Sequence, residues 1–179
     1  PYIDAAIALR ERHGLEPAMI ERVTCAIAPW AVPIVCTPRS PKLRPASDMD
    51  AIASLPYQVA VGLADGRVDL DALGPACRER REVLDLAARI EHRADESLGQ
   101  GFDGSIAIAL KSGGLLASAA VSAPPDGARL LAKFRANARL AVDEDTAAEL
   151  ESVMVGDALP RFDELASIFL RSRRRTRLV

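Results

Sequence analysis

Between Ala51 and Gly66 the chain reads Ala-Ile-Ala-Ser-Leu-Pro-Tyr-Gln-Val-Ala-Val-Gly-Leu-Ala-Asp-Gly, and ahead of the closing Asp65-Gly66 only Ser54, Tyr57 and Gln58 carry hydrogen-bonding side chains. A helix that is apolar on nearly every face has to be wrapped by other elements, so the rest of the chain must supply layers around it. Pro56 lacks an amide N–H and is tolerated only in a first turn, which places the helix start at Ser54 as its cap. Ala60, Gly62 and Ala64 are small enough to let neighbouring elements come close. Polar groups carried into such surroundings need a partner or a task. Tyr57 is therefore the first candidate for chemistry, at a helix N-terminus where backbone N–H groups and the dipole favour anions.

The 179 residues suffice for one domain, or one domain with an attached piece. Aromatic residues make up only 4% against 49% apolar, so the core must be built of Ala, Leu, Val and Ile. A formal net charge of −2 gives no global field for nucleic acid or a membrane surface, and neither is expected as a partner. No run approaches eighteen uninterrupted apolar residues, and no basic flank with an apolar stretch opens the chain. Cys25, Cys36 and Cys77 are odd in number and far apart, with only His13 and His92 as further ligand types, so neither a disulfide framework nor a metal site is indicated. No metal and no cofactor is expected, and a reducing cytoplasmic compartment is. The chain opens at Pro1-Tyr2-Ile3, already inside a helical pattern and without Met, and reads as a piece of something longer.

Taken in order, residues 3–13 carry apolar positions at Ile3, Ala6 and Ile7, an early acid, late bases and a stop at Gly14, which predicts a helix. Residues 22–28 alternate, with Val23, Cys25 and Ile27 on one side, and predict a half-buried strand. Five prolines between Pro29 and Pro45 predict a long ordered loop without regular helix, carrying Trp30; loops of that length are functional or act as covers. After the apolar helix, residues 71–88 read as helix in two pieces broken near Gly74-Pro75, and 89–94 as a short strand. Ile106-Ile108-Leu110, Ser112-Gly113-Gly114 and Leu115–Val121 predict a hairpin, closed by Pro124-Pro125-Asp126-Gly127. Helices follow over 128–141, 145–155 and 160–171, and then an arginine-rich tail over 172–179. This order predicts an α+β arrangement, with one small, mostly antiparallel sheet covered by helices on one side.

Four segments in this order and spacing, Ile-Asp-Ala-Ala-Ile-Ala-Leu-Arg (3–10), Ile-Glu-Arg-Val (20–23), Ala-Ser-Leu-Pro-Tyr-Gln-Val-Ala-Val-Gly-Leu-Ala-Asp-Gly (53–66) and Ala-Lys-Phe-Arg (132–135), resemble the C-terminal part of the MmgE/PrpD family. The family includes 2-methylcitrate dehydratase, cis-aconitate decarboxylase and iminodisuccinate epimerase. The resemblance implies an α+β lid over residues 1–122 and, over 128–171, the closing helices of an all-helical domain whose remainder is not in this chain. It also implies metal-free lyase or isomerase chemistry on small di- or tricarboxylates, of the 2-methylcitrate dehydratase kind in propionate catabolism, and a homodimer. In that chemistry histidines and a lysine come from the helical side and a tyrosine from the lid, a position matched by Tyr57. The histidine would fall just ahead of Pro1 and the lysine further upstream, so the chain is expected to be inactive without a helical domain or partner subunit. Where many members carry lysine two residues before the serine, this chain has Ile52.

On this reading Tyr57 is a general acid or a donor to enolate charge, against the plainer alternative of a core tyrosine with a satisfied hydroxyl. Ser54 is a helix cap or a substrate contact. Lys42 and Arg44, with Arg39, stand in the proline-rich segment as carboxylate binders or as solvated loop residues. His13 and His92 are not expected in catalysis, Cys25 reads as a core thiol, and the arginine-rich tail as a frayed helix end. The alternative for the whole chain is a non-catalytic α+β module that associates through its hairpin sheet.

Overall fold

The computed structural model describes residues 1–122, 126–155 and 161–176, and the chain divides into two compact units, 1–123 and 124–179. The first unit begins with α1 (Tyr2–His13), which ends at Gly14 in the left-handed conformation, and β1 (Ile20–Ile27) follows. The proline-rich segment is not a bare loop: it contains a 3-10 turn at Pro29–Ala31, α2 (Val32–Val35) and α3 (Arg39–Leu43). The prolines do not exclude these helices because they lie at or before first turns, where a missing N–H costs nothing. Next come α4 (Asp48–Ile52), α5 (Leu55–Asp65), α6 (Pro75–Arg78) and α7 (Arg81–Ala87), then β2 (Ile90–Ala94), β3 (Gly104–Leu110) and β4 (Leu115–Ala120).

The strands form one mixed sheet in the order β2-β1-β3-β4, with β1 parallel to β2 and the β1–β3 and β3–β4 pairs antiparallel. The parallel pair requires a crossover, and the whole helical segment from α2 to α7 provides it. One face of the sheet carries Val23, Cys25, Ile27, Ile90, Ile106, Ile108 and Ala120, all buried. Helix α1 packs on β3 and β4, α5 packs on α1 and α7, and α5 also reaches β2. The α+β class and the helix-covered sheet follow the alternation and capping pattern of the sequence.

Every residue of α5 from Leu55 to Leu63 is buried. Its start is as the sequence predicts: the Ser54 side chain accepts from the Tyr57 N–H, with Pro56 in the first turn. A separate short helix, α4, with its own Ser47–Asp50 capping box, precedes it. The other end of α5 is closed by Arg10, whose Nε donates to the Leu63 carbonyl at 3.0 Å, a cation at the negative end of the helix dipole. Gly66, at φ 70°, lies directly beneath that guanidinium.

The second unit comprises α8 (Gly127–Ala138), α9 (Glu144–Met154) and α10 (Phe162–Thr176). Arg135 of α8 grips Glu151 of α9 with Nε at 2.6 Å, and Asp143 caps α9 through the Thr146 N–H. The turn residues Pro124 and Pro125, and Arg177 of the arginine-rich tail, lie outside the described residues. No helix among the described residues is long and apolar enough to cross a membrane.

Two glycines give opposite expectations. A Cβ on Gly62 would meet Ile3 Cγ2 and Ile7 Cγ1 at 3.5 Å, an ordinary packing distance, so Gly62→Ala is expected to stabilise by about 0.5–1 kcal/mol through helix propensity. A Cβ on Gly104 would overlap the Tyr2 hydroxyl and the Ala26 carbonyl, and Gly104→Ala is expected to destabilise by about 1–3 kcal/mol. Urea titrations of the two variants check both signs.

Candidate functional site

The first unit holds a cavity of about 360 Å³, within the ordinary range for small-ligand sites. Its walls come from the start of α1 (Pro1, Tyr2, Ile3), the end of β1 and the residue after it (Ile27, Ala28), and the 30–35 segment (Trp30, Ala31, Ile34, Val35). The α4–α5 junction (Ile52, Ser54, Leu55, Gln58) and the 101–103 loop (Gly101, Phe102, Asp103) complete it. Trp30 and Phe102 meet edge to face with ring centroids 5.1 Å apart, so the two loops close on each other through an aromatic pair. Phe102, Ile34 and Ile52 are 66%, 53% and 54% exposed, which leaves the mouth open.

The polar side chains of the wall are held by local bonds. Ser54 Oγ donates to the Lys42 carbonyl at 2.5 Å while accepting from the Tyr57 N–H at 3.2 Å. Gln58 Nε2 donates to the Ala51 carbonyl at 2.9 Å, which secures the break between α4 and α5. Among the described residues Asp103 is the one charged side chain in the wall, and its carboxylate accepts the Ser122 N–H. Tyr2 lies at the base, with its hydroxyl donating to the Ala26 carbonyl at 2.8 Å.

Of the residues singled out from the sequence, Ser54 is in this wall and Tyr57 is not. The Tyr57 side chain is fully buried, and its hydroxyl donates to the Ala72 carbonyl at 2.5 Å. It is drawn into the core by that bond to Ala72, while the Ser54 side chain folds back onto the helix start. Burial, reinforced by Cys77, pushes the Tyr57 phenol well above its ordinary value.

The cations expected to meet carboxylates are also placed elsewhere. Lys42 Nζ donates to the Ile34 and Ala53 carbonyls at 2.7 and 2.5 Å, Arg39 donates to the Ile90 and Ala88 carbonyls, and Arg44 is exposed and outside the cavity. Lys42 and Arg39 thus fasten the 32–43 segment to the α4–α5 junction and to β2. His13 ends α1 and His92 stands in β2, and among the described residues no cluster of three His, Cys, Asp or Glu side chains is placed to hold a metal.

Sequence reasoning missed Phe102 and Asp103 as wall residues. The signal for that loop was only its glycines. Trp30 was visible as the single tryptophan of a proline-rich segment.

Fold and cavity together define an α+β domain with a one-sided sheet and an apolar, ligand-sized pocket beside the start of its central helix. Residues 1–156 match the MmgE/PrpD C-terminal domain, and the chain belongs to the MmgE/PrpD family. No curated protein matches the chain at a significant level.

Two measurements follow from the buried groups. Tyr57→Phe removes the bond to Ala72 and is expected to cost about 1–2 kcal/mol in urea unfolding. Burial pushes the Cys25 thiol up to about 12 and the Cys36 thiol up to about 11, above the ordinary value of about 8.5. An unfolded chain therefore sheds these protons first, so the stability they contribute is complete below about pH 8.5 and is lost as pH rises through about 11. Urea midpoints are expected to hold steady from pH 6 to 8 and to fall above pH 9, less steeply in Cys25→Ala; an unchanged midpoint at about pH 10.5 contradicts the assignment.

Proposed function

We propose that the 1–122 domain is the lid of a lyase or isomerase that removes water, carbon dioxide or an α-proton from small di- or tricarboxylates. The observation that carries the reading is the cavity at the start of α5, which lies within the segment matching the MmgE/PrpD C-terminal domain. Loss of an α-proton beside a carboxylate builds enolate charge, and donors fixed before the reaction stabilise that charge at no reorganisation cost. In this proposal Ser54 and Gln58, held by their bonds to Lys42, Tyr57 and Ala51, shape the wall that the substrate meets. The histidines and lysine that the family resemblance assigns to the helical domain transfer the protons. The partner is accordingly that helical domain, supplied by the same protein or by a second subunit.

Tyr57 acts here by holding the α5 start to the Leu70–Leu73 turn, through Ala72. Its assignment as a general acid makes a different prediction. In the enzyme assembled with its helical domain, Tyr57→Phe removes about 10²-fold or more of kcat if the phenol transfers a proton. If the tyrosine is structural, kcat at low temperature is retained and only the melting temperature falls.

Proton exchange at the α-carbon of citrate-like acids in deuterated water, followed by NMR, tests the reaction class. The chain alone is expected to be silent and the chain combined with the helical domain active. No exchange and no elimination in either sample would overturn the lyase or isomerase reading. A second reading, association through the sheet, has one observation in its favour: on the face opposite Val23 and Ile108 the β1, β3 and β4 strands present Thr24, Ala107, Ala109, Ala117 and the 70% exposed Leu115, flanked by Arg22, Glu91 and Arg93. Concentration-independent monomers in analytical ultracentrifugation would remove it.

A further inference from the structure

We infer that the cavity beside α5 seats a hydrocarbon arm of the substrate, so that the compound handled is a carboxylate bearing an alkyl chain of several carbons. The inference rests on the carboxylate reading above and goes beyond it by assigning the part of the ligand that enters the pocket. The walls are Trp30, Phe102, Ile34, Ile52 and Leu55, with Ile3 and Ile27 behind them. Among the described residues no lysine or arginine lines the cavity. The two cations of α3, Arg39 and Lys42, have their donors committed to backbone carbonyls.

A carboxylate pushed into this space would lose its hydration, meet no lysine or arginine side chain of the described residues, and approach the Asp103 carboxylate in the wall. An alkyl chain loses nothing on entry and removes both its own surface and that of the walls from water. Ser54 and Gln58 are buried on the α5 side of the same cavity with their donors committed to the Lys42 and Ala51 carbonyls, so the polar head is left at the exposed mouth beside Ile34, Ile52 and Phe102 while the chain fills the interior. Roomy apolar cavities of this kind favour apolar occupants over water. The 54% exposure of Ile52 puts a determinant of chain preference where a substitution does not disturb the core.

Trp30 is the single tryptophan of the chain and lies in the wall, so its fluorescence reports occupancy without any turnover. The full chain is titrated with succinate, methylsuccinate, butylsuccinate and hexylsuccinate, and separately with butanol, hexanol and octanol, by Trp30 fluorescence and by calorimetry. Affinity is expected to rise about fourfold per added methylene, the factor for burying one CH₂, until the pocket is full. In Ile52→Gln the rise is expected to flatten by a few-fold while circular dichroism and the urea midpoint stay unchanged.

Succinates that bind equally well whatever their chain length overturn the alkyl assignment and leave the carboxylate reading intact. Alkanols that bind as tightly as the matching alkylsuccinates, with the same chain-length dependence, uphold the hydrocarbon pocket and overturn its carboxylate partner. Silence of every compound in both measurements overturns the proposal.

Discussion

The structure of residues 1–122 depends on hiding one helix completely. Helix α5 exposes almost no side chain, so each of its neighbours exists to cover part of it: α1 along one side, α7 along another, α3 and β2 near its start. The backbone groups left over at the two ends of such a helix also need partners, most of all at its buried start. Ser54 accepts a first-turn N–H, and Arg10 reaches from α1 to the Leu63 carbonyl at the far end. The guanidinium also fixes where α1 lies, since its Nε must reach the last turn of α5. Helix position and helix capping are thus set by the same side chain.

The cavity is a by-product of how that helix begins. The chain breaks between α4 and α5, and the break is held by Gln58 to Ala51, by Lys42 to Ala53 and by Ser54 to Lys42, three bonds between residues close in space. The 30–35 segment stands off the start of α5 beside this break, and the space between them extends to the Trp30–Phe102 pair. The lysine and the serine that look like substrate ligands in the sequence are spent on keeping the pocket in shape. The interior left behind is apolar, and this decides what can bind there: hydrocarbon is favoured and buried charge is not.

Much of the fold was legible because its signals are local. Alternation at Val23, Cys25 and Ile27 marked β1, glycines at 113 and 114 marked the β3–β4 hairpin, and Pro56 with Ser54 marked the start of α5. The two short helices among the prolines were not legible, because a proline in a first turn and a proline in a loop look the same without the hydrogen bonds around them. The parallel pairing of β1 with β2 joins residues more than sixty positions apart and has no signal in either strand alone.

For the site, the sequence pointed to the start of α5, and there the structure puts Ser54 in the cavity wall and the Tyr57 side chain in the core. Tyr57 attracted attention as a phenol in apolar surroundings, and whether such a group faces a cleft or a core depends on which carbonyl lies across from it. That carbonyl belongs to Ala72, fifteen residues on. Phe102 reached the pocket only through the course of the 99–103 loop. The sequence by itself determined that a nearly featureless apolar helix would be buried, where it would start and stop, and that strands and helices would surround it, since hydrophobic pattern, proline and caps act over a few residues. Only the tertiary structure decided which polar groups were spent on the backbone and which face an open pocket, because a hydrogen bond's partner is chosen by what folding brings within about 3 Å, not by distance along the chain.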